Sequence, residues 1–177
     1  PITEIWTQKA DFIGACSFAF SFSIGNKGYV GTGRIFGFTA SPFFYEYDAS
    51  LNSWLQKTNL PRAANNAVAF SIGNKGYVGA LDASQSDFWE YDPATDAWTR
   101  KADFGGVPRE GAIGFNLNDQ GYIGLGGNGT YHSDLWKYDP LTDTWEEKAP
   151  FPGSVLFTEQ VSIDINAKGY VLLYESL

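Results

Sequence analysis

The ten residues FSIGNKGYVG stand at Phe22–Gly31 and again, letter for letter, at Phe70–Gly79. Such a repeat within 177 residues marks a duplicated structural unit, so the period is sought before any local motif is read. Tryptophan supplies it. Trp6, Trp54, Trp98 and Trp145 are separated by 48, 44 and 47 residues, and each opens a similar phrase: WTQKADF, WLQKTNL, WTRKADF, WEEKAPF. Tyr29, Tyr77, Tyr122 and Tyr170 keep the same beat; each follows a Gly and precedes Val or Ile. A third phrase lies between the two: FYEYDASLNSW at 44–54, FWEYDPATDAW at 88–98 and LWKYDPLTDTW at 135–145.

Each unit of about 46 residues holds four short apolar segments rich in Val, Ile, Phe, Tyr and Trp. Those residues favour strands, and no stretch shows the i, i+3, i+4, i+7 spacing of an amphipathic helix. The connectors carry turn chemistry. Gly25-Asn26, Gly73-Asn74 and Asn118-Asp119 suit tight hairpins because Gly, Asn and Asp accept positive φ. Asp92-Pro93 and Asp139-Pro140 start wider turns: Pro presets φ, and Asp bonds the amides just ahead. The decapeptide is therefore strand, tight turn, strand. Four antiparallel strands every 46 residues or so describe the blade of an all-β propeller. The columns Tyr47/Tyr91/Tyr138 and Trp54/Trp98/Trp145 are expected to fill the wedge between blades.

The YDPATDAW and YDPLTDTW phrases, the Gly-Tyr-Val strand and the closing Trp resemble kelch repeats along essentially the whole chain. The wording is similar to kelch proteins of bacterial secreted or cell-surface type, and the resemblance implies a β-propeller with the architecture of the central domain of galactose oxidase. No Trp-Asp dipeptide of the rival WD40 repeat occurs. The sequence departs from the kelch pattern in its double glycine. It stands at Gly126-Gly127, but is Gly31-Thr32-Gly33 in the first unit and Gly79-Ala80-Leu81 in the second, and the hairpin near Lys168–Tyr174 lacks it. The phase predicts a fourth strand at 1–12, blades at 13–59, 60–103 and 104–150, and the first two strands of another blade at 151–177. That is an incomplete propeller. We expect either a piece of a longer chain or a ring completed by another copy, since exposed strand edges invite pairing. The chain opens on Pro1 and contains no Met, which fits a processed or truncated form.

A net charge of −8 argues against nucleic acid, which needs a cationic stripe. No run of about 18 apolar residues is present to form a membrane helix. A lone cysteine, Cys16, leaves no intrachain disulfide, and with a lone histidine, His132, it falls short of a zinc site. The same single His cannot supply the two His and two Tyr ligands of galactose oxidase copper. No metal, cofactor or catalytic residue is assigned. The glycine-rich run at 124–129 leads into a strand, not the helix a phosphate loop requires. Asn128-Gly129-Thr130 is a formal glycosylation sequon.

Function is expected where the repeats diverge. The loops between second and third strands, about 34–42, 81–86 and 127–133, share a face with those entering first strands. In kelch interaction domains that face commonly binds partners. The candidate contact residues are Arg34, Phe36, Phe38, Arg62, Asp82, Arg109, Tyr131 and His132. Arg62 and Arg109 also fit a scaffold role, because Pro61-Arg62 and Pro108-Arg109 are equivalent. The expected function is a non-enzymatic protein- or glycan-binding module, exported or at the cell surface. The alternatives are a piece of a sugar-active enzyme like the kelch-type sialic acid mutarotases, with Glu110 the acid or base, and a structural subunit that completes blades with neighbouring copies.

Overall fold

The computed structural model describes residues 5–14, 16–35, 39–153, 160–165 and 168–173. Every regular element in it is a strand. The first blade is β1 (Phe20–Ile24), β2 (Lys27–Gly31), β5 (Phe44–Asp48) and β6 (Ser53–Gln56). The second is β7 (Val68–Ile72), β8 (Lys75–Gly79), β9 (Trp89–Asp92) and β10 (Ala97–Arg100), and the third β11 (Ile113–Leu117), β12 (Gln120–Gly124), β13 (Leu135–Asp139) and β14 (Thr144–Lys148). A last hairpin pairs β15 (Gln160–Ile165) with β16 (Lys168–Leu173). All pairs are antiparallel, and β1 and β7 meet their partners in the same register: Phe22 faces Tyr29 as Phe70 faces Tyr77. The duplicated decapeptide is thus one hairpin made twice. Its turns use positive φ as expected, at Gly25, Gly73 and, in the third blade, at both Asn118 and Asp119.

Two features depart from the sequence reading. Residues 5–12 form no strand, and Trp6 is fully exposed. A strand is defined by its ladder, and no described strand pairs with these residues. The second departure is a small extra ladder, β3 (Arg34–Ile35) with β4 (Thr39–Ala40), inside the first long loop.

Innermost strands converge: β1 packs on β7, β7 on β11 and β11 on β15. Ser21, Ser23, Ser71, Asn116 and Ser162 line a small space of about 160 Å³ between them. The core lies between blades. Phe20, Phe22, Tyr29 and Phe44 of the first blade bury against Val78 and Tyr91 of the second. Phe70, Tyr77 and Phe88 of the second bury against Ile123 and Tyr138 of the third. The aromatic wedge repeats nearly to the ångström: Tyr91 meets Phe44 edge-on at 4.7 Å, as Tyr138 meets Phe88. Such pairs contribute about 0.5–1.5 kcal/mol beyond the area they bury.

The Gly of the Gly-Tyr pair in the second and third blades follows from this packing. A Cβ on Gly76 would sit 2.3 Å from the ring of Phe22, and one on Gly121 equally close to that of Phe70. The preceding blade's Phe lies flat on the glycine backbone, so no side chain fits there.

Polar groups seal the outer rim. In the three blades Asn52, Asp96 and Asp143 stand in left-handed turn positions. Each accepts the hydroxyl of its own blade's Tyr47, Tyr91 or Tyr138 at 2.7 Å. Each also accepts a backbone amide from the segment before the blade, from Ala10, Thr58 and Ala102 at 2.9, 3.1 and 3.0 Å. The carbonyls of those three residues accept the indole N–H of Trp54, Trp98 and Trp145. The second Asn or Asp of the turn and the Trp therefore clamp one residue, by its N–H and its carbonyl. Asp48, Asp92 and Asp139, four residues earlier in the turns, bond amides of their own turns.

Candidate binding face

The loops entering first strands and those following second strands lie together and are stitched by backbone bonds. Ser17 pairs with Arg34, Ser41 with Ala64, and Glu110 with Gly127, which in turn pairs with Tyr131. Bonds also cross between blades: Asn66 donates to the carbonyl of Phe18, and Gly111 to that of Asn66. This knitting holds divergent loops on one face of a rigid scaffold.

The expected contact residues divide into three groups. Arg34 stands on this face, with its guanidinium 5.2 Å from the ring centre of Phe18 and its Nε donating to Asn65 Oδ1 at 3.2 Å. Tyr131 is exposed, and His132 beside it meets Asn128 Oδ1 at 3.1 Å. Burial and the nearby charge of Arg109 lower the His132 pKa, so the ring is neutral at pH 7.

Arg62 and Arg109 form the second group, and both are braces. Arg109 is fully buried and has no surface to offer a ligand. Its guanidinium makes a two-pronged bond with Asp134, donates to the carbonyl of Leu125 at 2.9 Å and lies over Phe104. Trp136 Nε1 adds a bond to the same carboxylate at 2.8 Å. Burial alone would raise the Asp134 pKa, but the bonds from Arg109 and Trp136 prevail and hold it below the usual carboxylate value. Arg62 repeats the arrangement with Asp87 and Trp89, and reaches Asp82 as well. Asp82 is therefore engaged by Arg62 and by Ser84. The physical reason is burial, complete at Arg109, where an unpaired charge would be costly. Phe36 and Phe38 form the third group; they lie outside the described residues.

Sequence reasoning missed Phe18. Its φ is 60°, and the equivalent places in the next two blades are Asn66, at 56°, and Gly111, at 61°. The left-handed region is open to Gly and Asn and strained for a bulky side chain. Phe18 nonetheless stands there with 56% of its surface exposed. The signal was available in aligned repeats, as the one large apolar residue in a Phe18/Asn66/Gly111 column.

These sheets define the class of protein: the chain folds as kelch-type β-propeller blades. Residues 121–152 match the Kelch motif model. Among matching solved structures, one titled "Structure of YjhT" superimposes with a TM-score of 0.70 at 16% identity, covering 81% of this chain and 54% of that one. The chain thus spans about half the length of that structure. A search of curated proteins found no match. Among the described residues, no helix is long and apolar enough to cross a membrane, and no group of three or more His, Cys, Asp or Glu is placed to hold a metal ion.

Proposed function

We propose that the chain is a non-enzymatic recognition module, working outside the cell or on its surface, that takes a glycan or protein ligand on the knitted loop face. The observation that carries this reading is Phe18, a ring held at φ 60° and exposed beside the guanidinium of Arg34. A strained, solvent-facing aromatic has no packing reason to persist; such outliers cluster at ligand sites. A ring flanked by a guanidinium and the amides of Asn65 and Asn66 can stack on the apolar face of a sugar while bonding its hydroxyls, which favours a glycan. The test is a glycan array probed with the 177-residue protein and with its Phe18→Ala and Arg34→Ala variants. Saturable binding to one saccharide class, lost in both variants, supports the reading; binding equal in all three overturns it.

A second reading has one observation behind it. Glu110 and Tyr131 both pair through backbone with Gly127, which gathers an exposed carboxylate and the neutral His132 into one corner of the same face. A sugar-active catalyst needs such an acid–base set. Anomerisation of any bound sugar, abolished by Glu110→Gln, would establish it over the first.

A further inference from the structure

Asn128-Gly129 is the one Asn-Gly pair in the sequence. It forms the tip of the loop between β12 and β13, on the knitted face. The base of that loop is pinned. Gly127 pairs with Tyr131 in a β-bridge, the Asn128 N–H donates to the carbonyl of Thr130 at 3.2 Å, and the His132 N–H donates to that of Gly126 at 3.0 Å. The tip is open. Residues 128–131 are exposed, and Gly129 stands at φ 97° with no atom within 4 Å of where its Cβ would be. The amide N–H of Gly129 has no acceptor among the described residues.

The Asn128 side chain is held beside a proton donor. His132 Nε2 lies 3.1 Å from Asn128 Oδ1, and since an amide oxygen only accepts, Nε2 carries the hydrogen. That bond draws electron density from the amide carbon, Cγ. It is aimed at the oxygen on which negative charge grows when Cγ is attacked. The nucleophile next in the chain is the nitrogen of Gly129. No Cβ shields it, and a glycine backbone accepts the bent conformation that ring closure needs. Asparagines in comparable turns lack this set. Asn26 and Asn74 precede Lys27 and Lys75, which are already paired in β2 and β8. Asn52 Oδ1 accepts two bonds, but Ser53 after it is the first residue of β6.

We propose that Asn128 is a self-modification site, converted to a carboxylate by attack of the Gly129 nitrogen with His132 assisting. The nitrogen gives up its proton and bonds to Asn128 Cγ, the Cγ–Nδ2 bond breaks, and ammonia leaves with that proton. The product is a cyclic succinimide. Water then opens the ring at either carbonyl, giving aspartate or, with the main chain rerouted through the side chain, isoaspartate. No oxidant or reductant is needed. The change sets a negative charge against His132 and beside the exposed Tyr131, and it erases the Asn-Gly-Thr sequon. It is a one-way recoding of this loop. It is read by mass, so its test is independent of the loop-face reading.

The 177-residue protein would be aged at mildly alkaline pH, digested, and mapped by mass spectrometry with the site located from fragment ions. The mass gain of an amide-to-acid change is expected at Asn128, split between two products of different retention, with Asn26, Asn52 and Asn74 unchanged. His132→Ala should slow the conversion about fivefold in the folded protein, the worth of one hydrogen bond. In guanidinium chloride, where the ring no longer meets the amide, parent and variant should convert at one rate. That arm separates the folded contact from the bare Asn-Gly sequence. An Asn128 that stays intact in the folded protein while the denatured sample converts would overturn the proposal. A folded His132→Ala protein converting as fast as the parent, or faster, would overturn the part given to His132.

Discussion

Trp145 and Ala102 belong to different blades, and the indole N–H of one donates to the carbonyl of the other at 3.2 Å. The bond recurs at Trp98 with Thr58 and at Trp54 with Ala10, at 2.9 and 3.1 Å. Trp145→Phe keeps an aromatic ring and removes the donor. We expect a loss of about 1–2 kcal/mol, roughly one hydrogen bond plus some packing. Trp6→Phe is the control: Trp6 is fully exposed, and such surface changes usually fall within about 0.5 kcal/mol. Urea unfolding of the two variants measures the difference.

The other half of the clamp is titratable in two blades. For Asp96 and Asp143 burial alone would raise the pKa; bonds from Tyr91 or Tyr138, from a backbone amide and from the charge of Lys57 or Lys101 outweigh it, and both carboxylates lie below their ordinary value. A depressed folded-state pKa contributes stability that is present above the unfolded value, about 3.9, and lost as pH falls through the folded one. The melting temperature is expected to drop below about pH 4. The double change Asp96→Asn, Asp143→Asn should flatten that drop, since Asn52 already makes the same bonds in the first blade. An undiminished acid transition in the double variant would count against the clamp as its source.

Gly76→Ala should destabilise by about 1–3 kcal/mol, the usual range for overpacking, because the new methyl would enter the ring of Phe22. Gly28→Ala is the internal control. The nearest atom to its Cβ is 3.9 Å away, and the change should be near neutral in this chain. Thermal melts of both variants decide it.

Arg109→Ala would leave the Asp134 carboxylate facing Trp136 and Phe104 without its cation. Breaking a buried pair costs about 3–5 kcal/mol. Arg109→Lys should recover only part of this, because an ammonium cannot make the two-pronged bond.

Phe18→Asn tests whether function sets that residue. Relief of left-handed strain, about 1–2 kcal/mol, outweighs a lost exposed cation–π contact of about 0.5–1. The variant should be slightly more stable than the parent and should lose ligand binding. A less stable variant would show that Phe18 serves packing.

The repeats made most of the fold legible. Trp and Tyr spacings fix strand order, and the Gly-Asn and Asp-Pro turns fix the hairpins, because those features recur at every blade boundary. What recurs is scaffold, and for the same reason the recurrence of Arg62 and Arg109 pointed to bracing. Phe18 was hidden. It is a departure from a column that becomes visible only when strand register says which residues correspond. The missing ladder at residues 5–12 has a different origin: a strand pattern records the capacity to pair, and pairing requires a neighbour.

The rim clamp also has a direction. Ala10 is fastened by Asn52, Thr58 by Asp96 and Ala102 by Asp143, always from 38 to 42 residues further along the chain. On a ribosome, each module would therefore stay unlatched until its successor had emerged, and the array would close like a zip drawn in the order of synthesis.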